Sequence, residues 1–393
     1  MKHLDSEEKH IASTYTREPI TLVEGSGVKV KDEEGKEYLD FVAGIAVTGL
    51  GHSHPEISEI LEKQSQKLVH VSNLYHIKEQ AELAKKLAQI TPEKIQKFFF
   101  CNSGTEAVEA ALKLAIKHTG KDKILALRES FHGRTAGSLG VTWKKVYRAP
   151  FKSYPFSKCE FISPNDLEGV RESIDEETAA LIAEPIQGEG GINVPSQEFL
   201  PKVREICREK GVLLIFDEIQ TGMCRTGKWF ASDHWNVEPD IMTMAKALGN
   251  GFPIGCMGAK SEVMGSFEPG NHASTFGGNP LACKVSKKVI EIMLRENIPE
   301  HVQRIGDYFK KELEKLSEKH EIVEEVRGLG LMLGVEVDSE ENAKTVLEKA
   351  RENGFLINRT ADKVLRFVPP LIIKKKHINK LIKQLDKIFE EIK

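Results

Sequence analysis

The sequence lacks both an excess of basic residues and an apolar run long enough to cross a bilayer. Its 393 residues include 56 Lys and Arg against 59 Asp and Glu, so the formal net charge is −3. A nearly neutral chain lacks the basic surface that a nucleic-acid backbone requires, which excludes nucleic acid as the main partner. The longest apolar runs, such as residues 212–216, fall far short of the roughly 20 residues of a membrane helix. We therefore expect no membrane partner and a cytoplasmic location.

Cysteine is scarce, and Gly/Ser-rich linkers and internal repeats are absent. Six cysteines occur without a Cys-x-x-Cys pair in a chain too large to depend on disulfide bonds, so we expect free thiols. His52 and His54, in Gly-His-Ser-His-Pro, have no further ligand cluster with them, and we expect a turn there and no metal site. The length suggests two folded units, whose boundary must come from the order of the predicted elements.

Short apolar runs alternate with helix-like stretches through the middle of the chain. The pattern predicts strands near residues 97–101, 124–127, 179–186, 212–219 and 240–245, and helices over 105–117 and 198–210. Strands that alternate with helices in this way are typical of a mostly parallel sheet covered on both faces. We therefore predict an α/β domain.

The pattern changes after Asn279-Pro280. Long helices are predicted over residues 281–296 and 301–319, then strands near 324–337 and 364–367, and a last helix from 377. This succession indicates a smaller α+β lobe, which a hairpin of residues 27–31 and 37–41 is expected to join. The predicted division is an N-terminal segment 1–45, a large domain 46–282 and a small domain 283–393.

Residues 102–106, Asn-Ser-Gly-Thr-Glu, follow an apolar run and open a helix rich in alanine and leucine. Unpaired amides and the helix dipole favour an anion at such an N-terminus, and Gly104 lets the backbone approach it closely. Ser103 and Thr105 add hydroxyl donors, so the segment is a candidate phosphate site. An ordinary N-cap with Glu106 in the first turn explains the same residues and remains the alternative.

Two predicted strands lead directly into a charged residue. Asp217 directly follows the apolar run 212–216, and Lys246 directly follows the run 241–245. Open α/β sheets hold their ligands at the carboxyl edge. A buried Asp there requires a cation, such as a protonated pyridine nitrogen, and burial of a Lys lowers its pKa and frees a nucleophilic amine. An Asp that caps a turn and a Lys that reaches solvent are the ordinary alternatives.

A nucleotide hydrolase is the rival hypothesis from a different class. Residues 222–228, Gly-Met-Cys-Arg-Thr-Gly-Lys, fit the spacing of a phosphate-binding loop, and residues 213–218 look like the acidic strand of such enzymes. However, Trp229 stands where a Ser or Thr would bind magnesium, and the acidic strand precedes the loop instead of following it. We therefore place this hypothesis second.

Taken together and in this order, the motifs resemble those of the class III aminotransferases, the ornithine and acetylornithine type of pyridoxal-5'-phosphate (PLP) enzyme of fold type I. The likeness runs over nearly the whole chain and includes residues 51–55, 102–106, 131–135, 184–191, 217–220, 245–249, 274–280 and 365–370. It implies a large domain with a mostly parallel seven-stranded sheet between helices, and a smaller α+β lobe. It also implies a homodimer with shared active sites.

The resemblance assigns cofactor roles to individual residues. It implies that Lys246 carries PLP as a Schiff base, that Asp217 pairs with the pyridine nitrogen, and that Gln220 hydrogen-bonds the ring hydroxyl oxygen. Phe131 is implied to stack on the ring, and Ser103, Gly104 and Thr105 to bind the phosphate. Thr275 is implied to reach the phosphate of the neighbouring subunit.

Two arginines and a glutamate are implied to recognise the substrates. Arg134 resembles the family's binder of the donor carboxylate. Arg366 resembles the arginine that takes the α-carboxylate of 2-oxoglutarate or glutamate, and that pairs with Glu189 while the donor is bound. For both arginines an ordinary salt bridge is the alternative. Ile45 stands where ornithine enzymes usually have a tyrosine, which disfavours free ornithine as the donor.

We therefore expect transamination from an ω-amino donor, first N-acetylornithine, to 2-oxoglutarate. The products are glutamate and N-acetylglutamate semialdehyde, as in arginine biosynthesis. The segment 139–148 lacks the usual acetylornithine-type sequence, so succinylornithine, acetyl-lysine-type compounds, 4-aminobutyrate and ornithine remain alternative donors. A PLP-fold binding protein without catalysis is the third hypothesis.

Overall fold

The computed structural model describes residues 2–151 and 158–392. Its strands are β1 (Leu22–Ser26), β2 (Lys29–Asp32), β3 (Glu37–Asp40), β4 (Ile95–Cys101), β5 (Lys123–Leu127), β6 (Lys158–Ile162), β7 (Thr178–Ala183), β8 (Leu213–Asp217), β9 (Ile241–Met244), β10 (Gly255–Lys260), β11 (Val323–Leu329), β12 (Met332–Val337), β13 (Phe355–Leu356), β14 (Asn358–Thr360) and β15 (Val364–Phe367).

The helices are α1 (Lys2–His10), α2 (Ala43–Ala46), α3 (Pro55–Ser65), α4 (Lys78–Ile90), α5 (Gly104–Thr119), α6 (Ala136–Gly140), α7 (Lys145–Arg148), α8 (Leu167–Ser173), α9 (Phe199–Lys210), α10 (Ser261–Met264), α11 (Pro280–Arg295), α12 (Ile298–Lys319), α13 (Glu340–Glu352) and α14 (Lys375–Glu391). No helix of the described residues is long and apolar enough to cross a membrane.

A seven-stranded sheet forms the centre of the molecule, in the order β4-β10-β9-β8-β7-β5-β6. The four pairings from β9 to β6 are parallel, and β10 runs antiparallel to both of its neighbours. This confirms the predicted fold class. Because Asp217 pairs in register with Thr243, the carboxyl ends of β8 and β9 lie side by side. The residues that follow these two strands therefore meet at one edge.

Alternate residues of the parallel strands face opposite layers of helices. Ile124 and Ala126 of β5 belong to the apolar cluster that includes α5, whereas Leu125 and Leu127 belong to the cluster that includes α9. All six residues of β7 are buried. Burial on both faces explains why these strands are continuous apolar runs in the sequence, without a polar alternation.

Two smaller four-stranded sheets flank the centre. One has the order β1-β2-β3-β13 and contains the predicted N-terminal hairpin, whose strand β3 pairs in parallel with β13. The other is antiparallel, in the order β11-β12-β15-β14, and carries the C-terminal part of the chain. The pairing of β3 with β13 agrees with an N-terminal segment that joins the small lobe, while the boundaries at residues 45 and 282 stay a prediction. All six cysteines are free, as expected.

Candidate functional site

A cavity of about 410 Å³ opens at the carboxyl edge of the central sheet. Its walls come from the start of α5, from the loops after β5, β7 and β8, and from the turn after β9. Eight of the eleven predicted site residues line it: Ser103, Gly104, Thr105, Phe131, Arg134, Asp217, Gln220 and Lys246. Segments far apart in sequence converge here because parallel strands bring their carboxyl ends to the same edge.

The start of α5 forms one wall of the cavity and also carries an ordinary helix cap. Ser103 accepts a hydrogen bond from the backbone amide of Glu106, and the Glu106 carboxylate accepts the amide of Asn102 at 2.9 Å. A Cβ on Gly104 would lie 2.7 Å from Cδ1 of Ile219, so a larger residue here would displace the Ile219 side chain. The cap alternative is therefore realised, and the same helix N-terminus faces the cavity as an anion site requires.

Asp217 is 3% exposed at the end of β8, and both of its carboxylate oxygens have hydrogen-bond partners. Its Oδ1 accepts the hydroxyl of Thr243 and the amide of Ile219, each at 3.1 Å, and its Oδ2 lies 2.7 Å from Nδ1 of His132. These contacts fix the carboxylate at the floor of the cavity. His132 was not predicted as a site residue, although it stands inside the Phe-His-Gly-Arg motif.

Lys246 follows β9 with a positive φ of 46°, a backbone conformation that costs free energy for a residue other than glycine. Burial lowers the pKa of its amine, Arg366 lowers it further, and the carboxylates of Glu189 and Asp217 oppose the shift. A lowered pKa makes more of the neutral amine available for attack on a carbonyl carbon. The arrangement thus suits the nucleophilic role predicted for Lys246.

Arg366 and Glu189 form an ion pair beside the cavity, although neither residue is among those that line it. Arg366 is 1% exposed and also donates to Oδ1 of Asn358 at 3.2 Å and to Oε1 of Gln220 at 3.3 Å. Burial raises the pKa of Glu189, but the positive charges of Arg366 and Lys246 outweigh it and hold this pKa below its ordinary value. The Glu189 side chain is therefore a carboxylate at neutral pH.

A buried glutamate that was not predicted from the sequence connects two walls of the cavity. Glu184 accepts the backbone amides of Phe131 and Gly188, both at 2.9 Å. Burial raises the pKa of this carboxyl to about 7. Glu184 directly follows β7, level with Asp217 at the end of β8, and this strand-end position is the signal that could have identified it.

Two further predicted residues lie on the surface. Arg134 is exposed at the cavity rim, where its guanidinium carbon stacks 3.6 Å from the ring centroid of Tyr147. Thr275 is exposed and is not among the described residues that line the cavity. One chain therefore brings together all the predicted cofactor residues except Thr275.

The cavity residues fit PLP by the chemistry of their donor groups. A helix N-terminus with adjacent hydroxyls suits a phosphate, the buried carboxylate of Asp217 suits a protonated ring nitrogen, and the Phe131 ring suits the face of an aromatic cofactor. The Lys246 amine completes the set. A nucleotide hydrolase lacks comparable support, because residues 222–228 form turns that open no helix and Lys228 is exposed.

Comparison with known proteins also indicates a PLP-dependent enzyme. The family described as Aminotransferase class-III matches residues 10–389. The acetylornithine aminotransferase of Methanosarcina mazei is 50% identical over 383 residues, 98% of this chain and 95% of that protein, and that of Aquifex aeolicus is 48% identical over 390 residues, 96% and 99%.

Solved structures are similar over the same length. The acetylornithine aminotransferase from Elizabethkingia anophelis superposes with a TM-score of 0.88 at 35% identity, covering 99% of this chain and 98% of that one. An ornithine aminotransferase from Toxoplasma gondii, with partial occupancy of PLP at its active site, gives a TM-score of 0.93 at 33% identity, covering 98% and 93%.

Proposed function

Because the chain belongs to the class III aminotransferases, we propose that it transfers the side-chain amine of N-acetylornithine to 2-oxoglutarate. The products are glutamate and N-acetylglutamate semialdehyde. This reaction is a step of arginine biosynthesis. The names of the relatives support this donor. The observation that carries the proposal is the Arg366–Glu189 pair beside the cavity, because it lets one site accept two substrates of different charge.

The two substrates differ in what lies next to the reacting carbon. N-acetylornithine enters by its δ-amine and has no carboxylate there, so Arg366 needs Glu189 as a counter-charge in this buried setting. 2-Oxoglutarate brings a carboxylate to the same place, and Glu189 must move aside to release the planar guanidinium for it. Both substrates have a second, distal carboxylate, which Arg134 at the rim is proposed to bind.

The enzyme is PLP-dependent, as its family is, and bound PLP supplies an electron sink for the carbon that loses a proton. Asp217 would hold the protonated ring nitrogen, Gln220 the ring hydroxyl, and Phe131 one face of the ring. Lys246 would carry the cofactor on Nζ. During turnover the same nitrogen takes the proton from the substrate carbon as a general base and returns it as a general acid.

The arginines provide the test of this function. Arg366→Ala is expected to slow the 2-oxoglutarate half-reaction by about thirtyfold or more, since loss of a charge-assisted bidentate contact costs about 2 to 5 kcal/mol. The donor half-reaction should keep most of its rate. Arg134→Ala should slow both halves. Single-turnover absorbance changes with each substrate alone measure the two halves separately.

Arg359→Ala is a matched control for this test. Arg359 lies in the same small sheet and pairs with Glu340 at 2.9 Å, away from the cavity, so Arg359→Ala should leave both half-reactions unchanged. If Arg366→Ala slows the donor half as much as the acceptor half, the alternating role of the Arg366–Glu189 pair is wrong.

We also propose that the active unit is a homodimer that works in the cytoplasm, where its six free thiols stay reduced. Leu74, Tyr75 and Phe276 are 86%, 68% and 59% exposed, which is unusual for large apolar side chains. Asn73 donates to the carbonyls of Ser274 and Gly277, so these residues form one patch. A second copy that covers this patch would place Thr275 at the interface, where the family resemblance implies a contact with the partner's phosphate site.

Hybrid dimers test whether the sites are shared. A dimer with one Lys246→Ala subunit and one Thr275→Ala subunit should contain one site of wild-type composition, because the intact Thr275 serves the intact Lys246 across the interface. We therefore expect half the wild-type activity per hybrid dimer and a wild-type affinity for PLP at that site. The shared arrangement would be refuted if the hybrid dimer had no more activity than one site of the Thr275→Ala homodimer. A fully active monomer would refute it as well.

A further inference from the structure

Arg134 lies in a notch between two perpendicular aromatic rings. Its guanidinium carbon is 3.6 Å from the ring centroid of Tyr147 and 5.5 Å from that of Phe131. The two rings are 6.3 Å apart at an interplanar angle of 89°. At 3.6 Å the guanidinium is in face contact with Tyr147, whereas Phe131 is the more distant wall. Tyr147 is therefore the main contact that holds this side chain.

Tyr147 is itself anchored to the cavity wall by the backbone. It belongs to the short helix α7, which begins directly after Trp143 and Lys144, and the Trp143 amide donates to the carbonyl of Ser130 at 2.9 Å. Ser130 immediately precedes Phe131. The Arg148 guanidinium donates back to the Trp143 carbonyl at 3.0 Å. These bonds connect the ring of Tyr147 to the same loop that carries Arg134.

The polar edge of Arg134 is free in the described part of the chain. It forms no hydrogen bond or ion pair with residues 2–151 or 158–392, and no polar partner of the Tyr147 hydroxyl lies in those ranges either. Stacking on a ring uses the face of a guanidinium and leaves its in-plane N–H groups available for a carboxylate. A stacked side chain also loses less rotamer freedom when the ligand binds, because it is already ordered.

We propose that Tyr147 is a positioning residue for substrate: its ring holds Arg134 in the orientation that receives the distal carboxylate of both substrates. This inference rests on the proposed function, in which Arg134 binds that carboxylate. It concerns the segment that departs from the usual acetylornithine-type sequence, residues 139–148, and gives this segment a role through the ring of Tyr147. The role requires the aromatic face and not the hydroxyl.

Binding of glutarate to the PLP-loaded enzyme provides the test. Glutarate is an unreactive dicarboxylate of the acceptor's length, and calorimetry measures its Kd without turnover. Tyr147→Leu, which removes the aromatic face, should raise this Kd about three- to thirtyfold, the range of a cation–π contact. Tyr147→Phe, which keeps the ring, should leave it unchanged. In steady state, Tyr147→Leu should raise KM for both substrates with little change in kcat.

Two controls make the outcomes decisive. Tyr308→Leu removes a comparable contact, with Lys375 at 4.4 Å in the C-terminal part, and should not affect glutarate. In an Arg134→Ala background, Tyr147→Leu should add no further loss, because the ring acts only through the arginine. Wild-type binding by Tyr147→Leu, or equal weakening by Tyr147→Phe, would overturn the inference. Unchanged binding by Arg134→Ala would instead show that the proposed role of Arg134 in substrate binding is wrong.

Discussion

Lys246→Ala is expected to give a colourless protein with no measurable transamination, whereas the wild type is yellow. The loss should be roughly 10⁴-fold or more, because one substitution removes both the covalent attachment and the group that moves the proton, and proton transfer alone contributes about 10²–10⁴-fold. Borohydride reduction followed by peptide mapping should trap the cofactor on Lys246 in the wild type and nowhere in the variant.

The lysine of the rival phosphate-loop hypothesis is a matched control for this result. Lys228 is exposed in the turns of residues 222–228, so Lys228→Ala should keep its colour and its activity. A cofactor trapped on another lysine of the wild type would show that the assignment of Lys246 is wrong. ATP turnover that disappears in Lys228→Ala and does not depend on PLP would support the nucleotide-hydrolase alternative.

Asp217→Ala is expected to keep some cofactor and to lose almost all turnover, by roughly 10²–10³-fold, the range found when a preorganised electrostatic group is removed. The physical reason is the electron sink: without a carboxylate beside it, the ring nitrogen is no longer held protonated. Steady-state turnover at saturating PLP and the absorbance of bound cofactor measure the two effects independently.

Removal of Asp217 also leaves the buried ring of His132 without its partner, so a second variant separates chemistry from folding. Asp217→Asn keeps the size of the side chain and an acceptor for the Thr243 hydroxyl, and it should fold while remaining nearly inactive. Glu218→Gln is the control at the same strand end, since the Glu218 carboxylate bonds Thr221, Ala231 and Ser232 outside the cavity. Near-normal turnover of Asp217→Asn would contradict the proposed role.

The sequence predicted strands well where both faces are buried and poorly where glycine replaces apolar bulk. Strand β10, Gly-Cys-Met-Gly-Ala-Lys, was missed although five of its six residues are buried. A Cβ on Gly255 would lie 2.1 Å from the carbonyl oxygen of Ser103, so close packing requires glycine and weakens the apolar signal. Edge strand β6 was missed because its apolar residues alternate with polar ones.

Site residues were predictable where a short stretch of sequence shows both the residue and its place at a strand end or helix start. Asp217 and Lys246 stand at strand ends, and the start of α5 carries its own helix signal. The contact of Glu184 with the amide of Phe131 and the contact of Tyr147 with Arg134 were not predictable, because the fold alone brings these residues together. A residue proposed to act across a subunit interface, such as Thr275, cannot be placed from one chain.

The donor is the central claim, and Ile45 is the local argument for it. This side chain is 40% exposed two residues before Val47, which lines the cavity. An apolar surface in place of a hydroxyl favours an acylated α-amine over a charged one that would have no partner. The free α-ammonium of ornithine should therefore be bound less well than the acetylated group.

The most direct test is the specificity constant, kcat/KM, for N-acetylornithine beside those for ornithine and 4-aminobutyrate, each with saturating 2-oxoglutarate. We expect N-acetylornithine to exceed both by tenfold or more, since the unpartnered charge of ornithine costs at least about 1.4 kcal/mol, a factor of ten. A clearly larger constant for ornithine or for 4-aminobutyrate would contradict the proposed donor and leave the aminotransferase chemistry intact.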